Sequence, residues 1–170
     1  MNKFQEYWKA DKKRNPSGYS RTFLFWFRKC QFGLKPFIPI YKVIFHFVKK
    51  SHGIEIASTL KIGKGLYIGH PYNITINQKA VIGENCNIHK GVTIGIENRG
   101  KRKGTPTLGN KVWIGINATI VGNIQIGDDV LIGPNSFVNC DVPAHSVVIG
   151  NPASIHHRDF ATEGYINNVD

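Results

Sequence analysis

The sequence predicts an all-β solenoid, a parallel β-helix of short flat rungs behind a small helical N-terminal segment. Three observations predict it. Aliphatic residues recur at every sixth position over most of residues 56–155. Glycine and asparagine crowd the places between them. The first 55 residues break from this rhythm in both composition and charge.

The repeat begins with "IASTLK", "IGKGLY" and "IGHPYN" at Ile56, Ile62 and Ile68, with Ile74 read as the next in step. Two extra residues then shift the phase to Ile82, Ile88 and Ile94. After a larger insertion it resumes at Leu108, Ile114, Ile120, Ile126, Ile132 and Val138. Each of these thirteen hexads opens on an aliphatic residue, and glycine follows directly in eight. A six-residue period matches neither a helix face nor a two-residue strand alternation. It matches coils with three flat sides, each turning one aliphatic side chain inward onto its equivalent a coil away, ~4.8 Å along the axis. Glycine and asparagine suit the corners, where the backbone needs angles that β-branched residues resist. Unrelated strands of a sandwich would not keep one phase from Leu108 to Val138.

The N-terminal segment carries the charge. Of a formal +11, residues 1–55 contribute +9, from 12 Lys/Arg against 3 acidic residues, and the remainder only +2. Pro16, Pro36 and Pro39 divide it into short helices, with "TFLFWF" and "YKVIFHF" as aromatic clusters. Two uses fit: a helical cap on the open end of the solenoid, which would otherwise expose unpaired strand edges, or peripheral membrane contact through residues 1–55. The basic residues fit no nucleic-acid recognition motif, so no nucleic-acid partner is expected. Cys30, Cys86 and Cys140 are odd in number and without ligand spacing, which argues for a reducing compartment and against a cysteine-rich metal site. The opening "MNKFQEYWKADKKRNPSG" has no apolar secretory core. A cytoplasmic protein is expected, with the inner face of the cell membrane as the variant if the segment binds lipid. The expected organisation is a helical cap over 1–55, the solenoid over 56–155 with a protruding loop at 96–107, and a tail over 156–170.

The repeats, together with "IGHPYNITINQKAVIGENCNIHKGVTIG" and the ending "VPAHSVVIGNPAS", resemble the hexapeptide-repeat, left-handed β-helix acyltransferases, and within them the serine acetyltransferase branch. The resemblance implies a left-handed parallel β-helix, a homotrimer, and acetyl-CoA as co-substrate in the groove between neighbouring prisms. The left hand would be an exception to the usual crossover rule. His70 falls on the catalytic histidine of that branch. Acyl transfer from a thioester to an alcohol needs a base to take the hydroxyl proton, which a histidine can supply near neutral pH. Nothing in the sequence suggests a covalent acyl-enzyme. His89, one coil away on the same side, is the second catalytic candidate. For the cofactor, the resemblance points to Gly95, Trp113, Asn117 and Ala118 along the coils, with Lys111 and Arg158 for its phosphates. Acceptor-binding candidates are Tyr72 and Asn73 beside His70, and Glu97, Asn98 and Arg99 at the base of the loop.

The sequence also departs from that branch. Gly69 stands where those enzymes carry Asp before the histidine, and Thr105 precedes Pro106 where they carry a second histidine. The missing groups help hold serine. The expected activity is therefore O-acetyl transfer to a sugar hydroxyl in surface-polysaccharide synthesis, with serine as the alternative acceptor. Rival classes are a non-catalytic scaffold and a γ-type carbonic anhydrase, which would need three gathered histidines around zinc. No metal is expected.

Overall fold

The computed structural model describes residues 2–169. Three helices precede the solenoid: α1 (Lys3–Arg14), α2 (Gly18–Phe32) and α3 (Ile38–Lys50), the last two joined through a 3-10 turn at Lys35–Phe37. Asn2 and Gln5 form a reciprocal cap at the start of α1, each side chain accepting from the other's backbone N–H. Pro36 and Pro39 sit in first turns, where a missing N–H costs nothing.

The rest of the chain winds into a three-sided parallel β-helix. The first face stacks Glu55–Ile56, Thr75–Ile76, Thr93–Gly95, Thr119–Val121 and Phe137–Val138. The second stacks Lys61–Ile62, Val81–Ile82, Thr107–Leu108 and Gln125–Ile126. The third stacks Tyr67–Gly69, Asn87–His89, Val112–Ile114, Val130–Ile132 and Ser146–Ile149, where Ser154–His157 turns back antiparallel and closes the far end. Inward residues form ladders such as Ile68, Ile88, Ile114 and Ile132, all buried. Each such side chain contributes about 1.5–3 kcal/mol of apolar burial.

The ladder corrects one reading of the repeat. On the first face Ile56 pairs with Ile76, and Ile76 with Ile94, so Ile76, not Ile74, holds the stacking position. The two extra residues therefore lie before this strand, at the corner between the third and first faces. That corner contains His70, Pro71, Tyr72 and Asn73. His70 and Asn73 both take the left-handed backbone conformation, each with φ of 52°.

The helices lie over the first coil. Its unpaired backbone groups are met by side chains, not by another strand. Arg28 donates to the Ile62 and Gly63 carbonyls, Gln31 to Leu60, Asn15 to Leu66 and Ser20 to Ile68. Asp11 and Asn15 in turn accept from the Leu66 and Ile68 N–H groups. A strand edge that would template pairing with other chains is thus satisfied within the molecule.

The tail runs back along the third face from the last coil to the first. Arg158 N–H bonds the His145 carbonyl. Asp129 accepts from the N–H groups of Ala161 and Thr162, both at 3.0 Å, and from the Thr162 hydroxyl at 2.6 Å. His145 Nδ1 lies 2.9 Å from the same carboxylate. Burial opposes the charge on Asp129, but the Thr162, His145 and Ala161 hydrogen bonds outweigh it and hold the carboxyl below its usual value. Further along, Tyr165 packs on Trp113, its carbonyl accepts from Asn87, and the Asn167 carbonyl accepts from Arg14 in α1.

Candidate active site

The corner that carries His70 is built from both parts of the chain. The Asn73 N–H donates to the His52 carbonyl at 3.0 Å, and the Gly91 N–H of the next coil donates to the Tyr72 carbonyl. The Tyr72 ring stacks on His52 at 4.5 Å, and His52 stacks on Tyr19 of α2 at 3.4 Å. These contacts hold a corner two residues larger than its neighbours, and His70 stands exposed upon it.

His89 lies beside it. Gly69 and His89 are partners in the third-face ladder, so the two histidines occupy adjoining positions. The His89 ring packs between Tyr67, at 6.1 Å, and Trp113, at 4.8 Å. Its Nε2 is buried and has no hydrogen-bond partner among the described residues. Burial, reinforced by the nearby His70, pushes the His89 imidazole below its ordinary value and so favours the neutral ring. A pocket of about 280 Å3 is lined by Arg14, Tyr67, Asn87, His89, Trp113 and Tyr165. Tyr67, Asn87 and Trp113 share one ladder position, a relation visible only once the hexads are stacked.

The ladder also gives Gly69 a physical reason. A Cβ at this position would lie 2.6 Å from His89 Cε1 and closer still to Nδ1. The His89 imidazole occupies the room that a side chain before His70 would need. Gly69→Ala should therefore destabilise the fold by about 1–3 kcal/mol, the cost of overpacking. It should also shift Trp113 fluorescence through the displaced ring. In the Gly69→Ala/His89→Ala double variant most of the Gly69→Ala penalty should vanish. A double-mutant cycle on denaturant midpoints measures the coupling, and additive effects would refute the steric account.

The remaining predicted site residues divide among the three edges of the prism. Asn117 joins His70, Tyr72 and Asn73 on the edge between the third and first faces, its N–H bonded to Lys90 O one coil below. Ala118 is buried there, its N–H bonded to Gly115 O and its carbonyl to Thr93 N–H, so it turns no side chain outward. Gly95 lies at the end of a first-face strand, close against Val121. Glu97, Asn98 and Arg99 start the loop at the edge between the first and second faces. There the Glu97 carboxylate accepts from the Asn98 and Arg99 N–H groups at 2.8 and 3.0 Å, and so shapes the loop itself. Thr105, in the loop's return, bonds the Lys79 carbonyl. Lys111 and Arg158 lie on the edge between the second and third faces, across the third face from His70. Trp113 packs within the chain, between His89 and Tyr165.

Two of the three cysteines, Cys30 and Cys86, are buried. Burial pushes the Cys30 thiol up to about 11 and the Cys86 thiol up to about 12, so neither is a thiolate at neutral pH. Among the described residues no cluster of three His, Cys, Asp or Glu side chains is arranged to hold a metal ion.

This geometry has known counterparts. Residues 105–140 match the family described as bacterial transferase hexapeptide (six repeats). Over 123 residues the chain is 37% identical to a serine acetyltransferase from Synechococcus elongatus, covering 72% of this chain and 50% of that protein. Over 107 residues it is 42% identical to a serine acetyltransferase from Helicobacter pylori, covering 63% of each. The chain thus spans between half and two thirds of the length of these curated relatives. Among solved structures it superimposes on soybean serine acetyltransferase with a TM-score of 0.67 at 28% identity, covering 90% of this chain and 67% of that one. On the Neisseria gonorrhoeae serine acetyltransferase the TM-score is 0.68 at 26% identity, covering 96% and 69%.

Proposed function

We propose that the chain belongs to the hexapeptide-repeat transferases and is an acetyl-CoA-dependent O-acetyltransferase of the serine acetyltransferase type, with His70 as general base. The carrying observation is the enlarged corner. It presents one exposed imidazole on a rigid prism edge, at the place where the sequence most resembles the serine acetyltransferases. The sugar acceptor expected from the missing serine-binding groups finds no support among the relatives, and serine fits them better.

In this reading the protein works as a homotrimer, with the thioester held between neighbouring prisms. His70 takes the proton of the acceptor hydroxyl as its oxygen attacks the thioester carbonyl. The tetrahedral oxyanion is met by backbone N–H donors, and the same imidazole returns the proton to the departing sulfur. Acetyl-CoA and the hydroxyl acceptor become CoA and the acetyl ester, with no acyl-enzyme. Tyr72 and Asn73 adjoin the base on its own corner. Asn117 lies on the same edge two coils on, where the pantetheine arm would run. The Glu97–Arg99 loop base and the Lys111/Arg158 edge are too far around one prism to share the corner with His70, so their proposed contacts belong to a neighbouring protomer. Buried, protonated Cys30 and Cys86 suit a reducing compartment.

Release of CoA from acetyl-CoA, followed with a thiol reagent in the presence of serine or of a panel of sugars, tests the proposal. Turnover with serine is expected. Turnover with a sugar but not with serine would overturn the acceptor, and turnover with neither would overturn the activity.

A further inference from the structure

Helix α3 is built on two opposite faces, and only one has a partner among the described residues. On the inner face Phe45 is buried against Phe23 and Phe27, with ring centroids at 5.1 and 5.8 Å, while Tyr41 meets Trp26. At 100° per residue, Ile40, Val43 and Phe47 fall on one narrow arc of the other side. They are 54%, 58% and 67% exposed. Leu34 and Phe37, in the turn leading into the helix, extend the ridge. Half of the ten exposed large apolar side chains among the described residues thus lie within the fourteen residues from Leu34 to Phe47. Isolated exposed apolar residues need no explanation, but five within fourteen residues, three of them on one arc of a helix, do.

The charge along this stretch of the chain has one sign. From Lys12 to Ile54 the sequence holds ten Lys/Arg and no Asp or Glu. Lys35, Lys42, His46 and Lys50 are exposed on and beside α3. A cavity of about 590 Å3 between the helices and the first coil repeats the chemistry: Phe32, Ile38 and Leu60 with Lys3, Lys42 and Lys61, and no acidic side chain in its lining. A second copy of this face would bring like charges together around the ridge. A nucleic acid would meet the lysines but leave the ridge in water. An anionic lipid surface satisfies both, taking the apolar arc below the headgroups while the lysines extend to the phosphates. No helix among the described residues is long and apolar enough to cross a membrane, so this helix would lie along the surface.

We propose that the outer face of α3, with Ile40, Val43 and Phe47 at its centre and Lys35, Lys42 and Lys50 around it, docks the protein onto anionic phospholipid bilayers. This surface is separate from the His70 corner, and the proposal stands whatever acceptor that corner takes.

The test is co-sedimentation of the full chain with vesicles of phosphatidylglycerol and phosphatidylcholine, and with phosphatidylcholine alone. Binding is expected only to the anionic vesicles, and it should weaken as salt is raised from about 0.1 M to about 0.5 M. The Ile40→Asp/Phe47→Asp double variant should lower the partition coefficient by roughly tenfold or more, because both apolar anchors are lost. Both side chains are more than half exposed, so its thermal midpoint should match that of the parent and keep a lost signal interpretable. Failure of the parent to sediment with anionic vesicles would overturn the proposal, as would binding that the double variant leaves unchanged. A doubled assembly mass by light scattering, abolished by the same variant without any vesicle binding, would assign the face to a second copy instead.

Discussion

On the proposed mechanism, replacing His70 by alanine is expected to lower kcat for acetyl transfer by about 10^2–10^4-fold, the usual contribution of a positioned general base. The fold should survive, because the side chain is exposed and stands outside the buried core ladder. The backbone at this position matters, however. His70 sits at φ 52°, a conformation that alanine tolerates poorly and asparagine tolerates well. His70→Asn is therefore the better variant: it should lower turnover equally while leaving the unfolding midpoint near that of the parent. Steady-state CoA release and thermal unfolding, measured on both variants, separate lost chemistry from lost structure. Activity within a few fold of the parent in His70→Asn would remove this residue from the reaction. His89, packed against Trp113 beside the corner, would then be the next imidazole to test.

Arg28→Met should cost about 3–5 kcal/mol of stability, the penalty for leaving a buried carboxylate without its partner. Arg28 and Asp11 are both fully buried, with Nε 2.7 Å from Oδ2. The guanidinium also donates to the Ile62 and Gly63 carbonyls, at 2.9 and 2.6 Å, and to Gln31 Oε1 at 2.9 Å, so its loss leaves four acceptor groups, the Asp11 carboxylate included, short of a donor. Burial pushes the Asp11 carboxyl above its ordinary value and Arg28 pulls it back. Without Arg28 only the upward push and two backbone hydrogen bonds remain. A carboxyl whose folded pKa exceeds its unfolded value binds protons on folding, so the variant should regain stability as pH falls from 7 towards 5. Urea midpoints at both pH values check the direction. Asp11→Asn/Arg28→Met, which removes the stranded charge, should recover much of the loss. A deficit independent of pH and unrelieved by the second substitution would mean that the packing of the long side chain, not its charge, holds the helices on the first coil.

The solenoid was legible in the sequence because its stabilising contacts obey a fixed period. Ile68, Ile88 and Ile114 announce one another by spacing alone, and the structure stacks them. The phase shift was harder to place, because "ITIN" offers both Ile74 and Ile76 as inward residues and both are buried. Only the strand register decides between them, and it moves the extra residues to the corner of His70. The relation between Gly69 and His89 was hidden for a similar reason: residues twenty apart meet only once the coils are in register. The tail was not legible at all. Its partners, Asp129, Asn87 and Arg14, are polar groups scattered over more than a hundred residues, and no periodicity marks them.

That tail alters how the molecule should come apart. Stacked repeats touching only their neighbours behave as a row of weakly linked units, free to fray from either end. Here residues 161–167 run from Asp129 past Asn87 and bond Arg14 of the opening helix, so the two ends of the row are fastened to each other. Loosening one rung strains the clasp on all of them, which converts a zipper into a closed ring and makes its melting a single cooperative event.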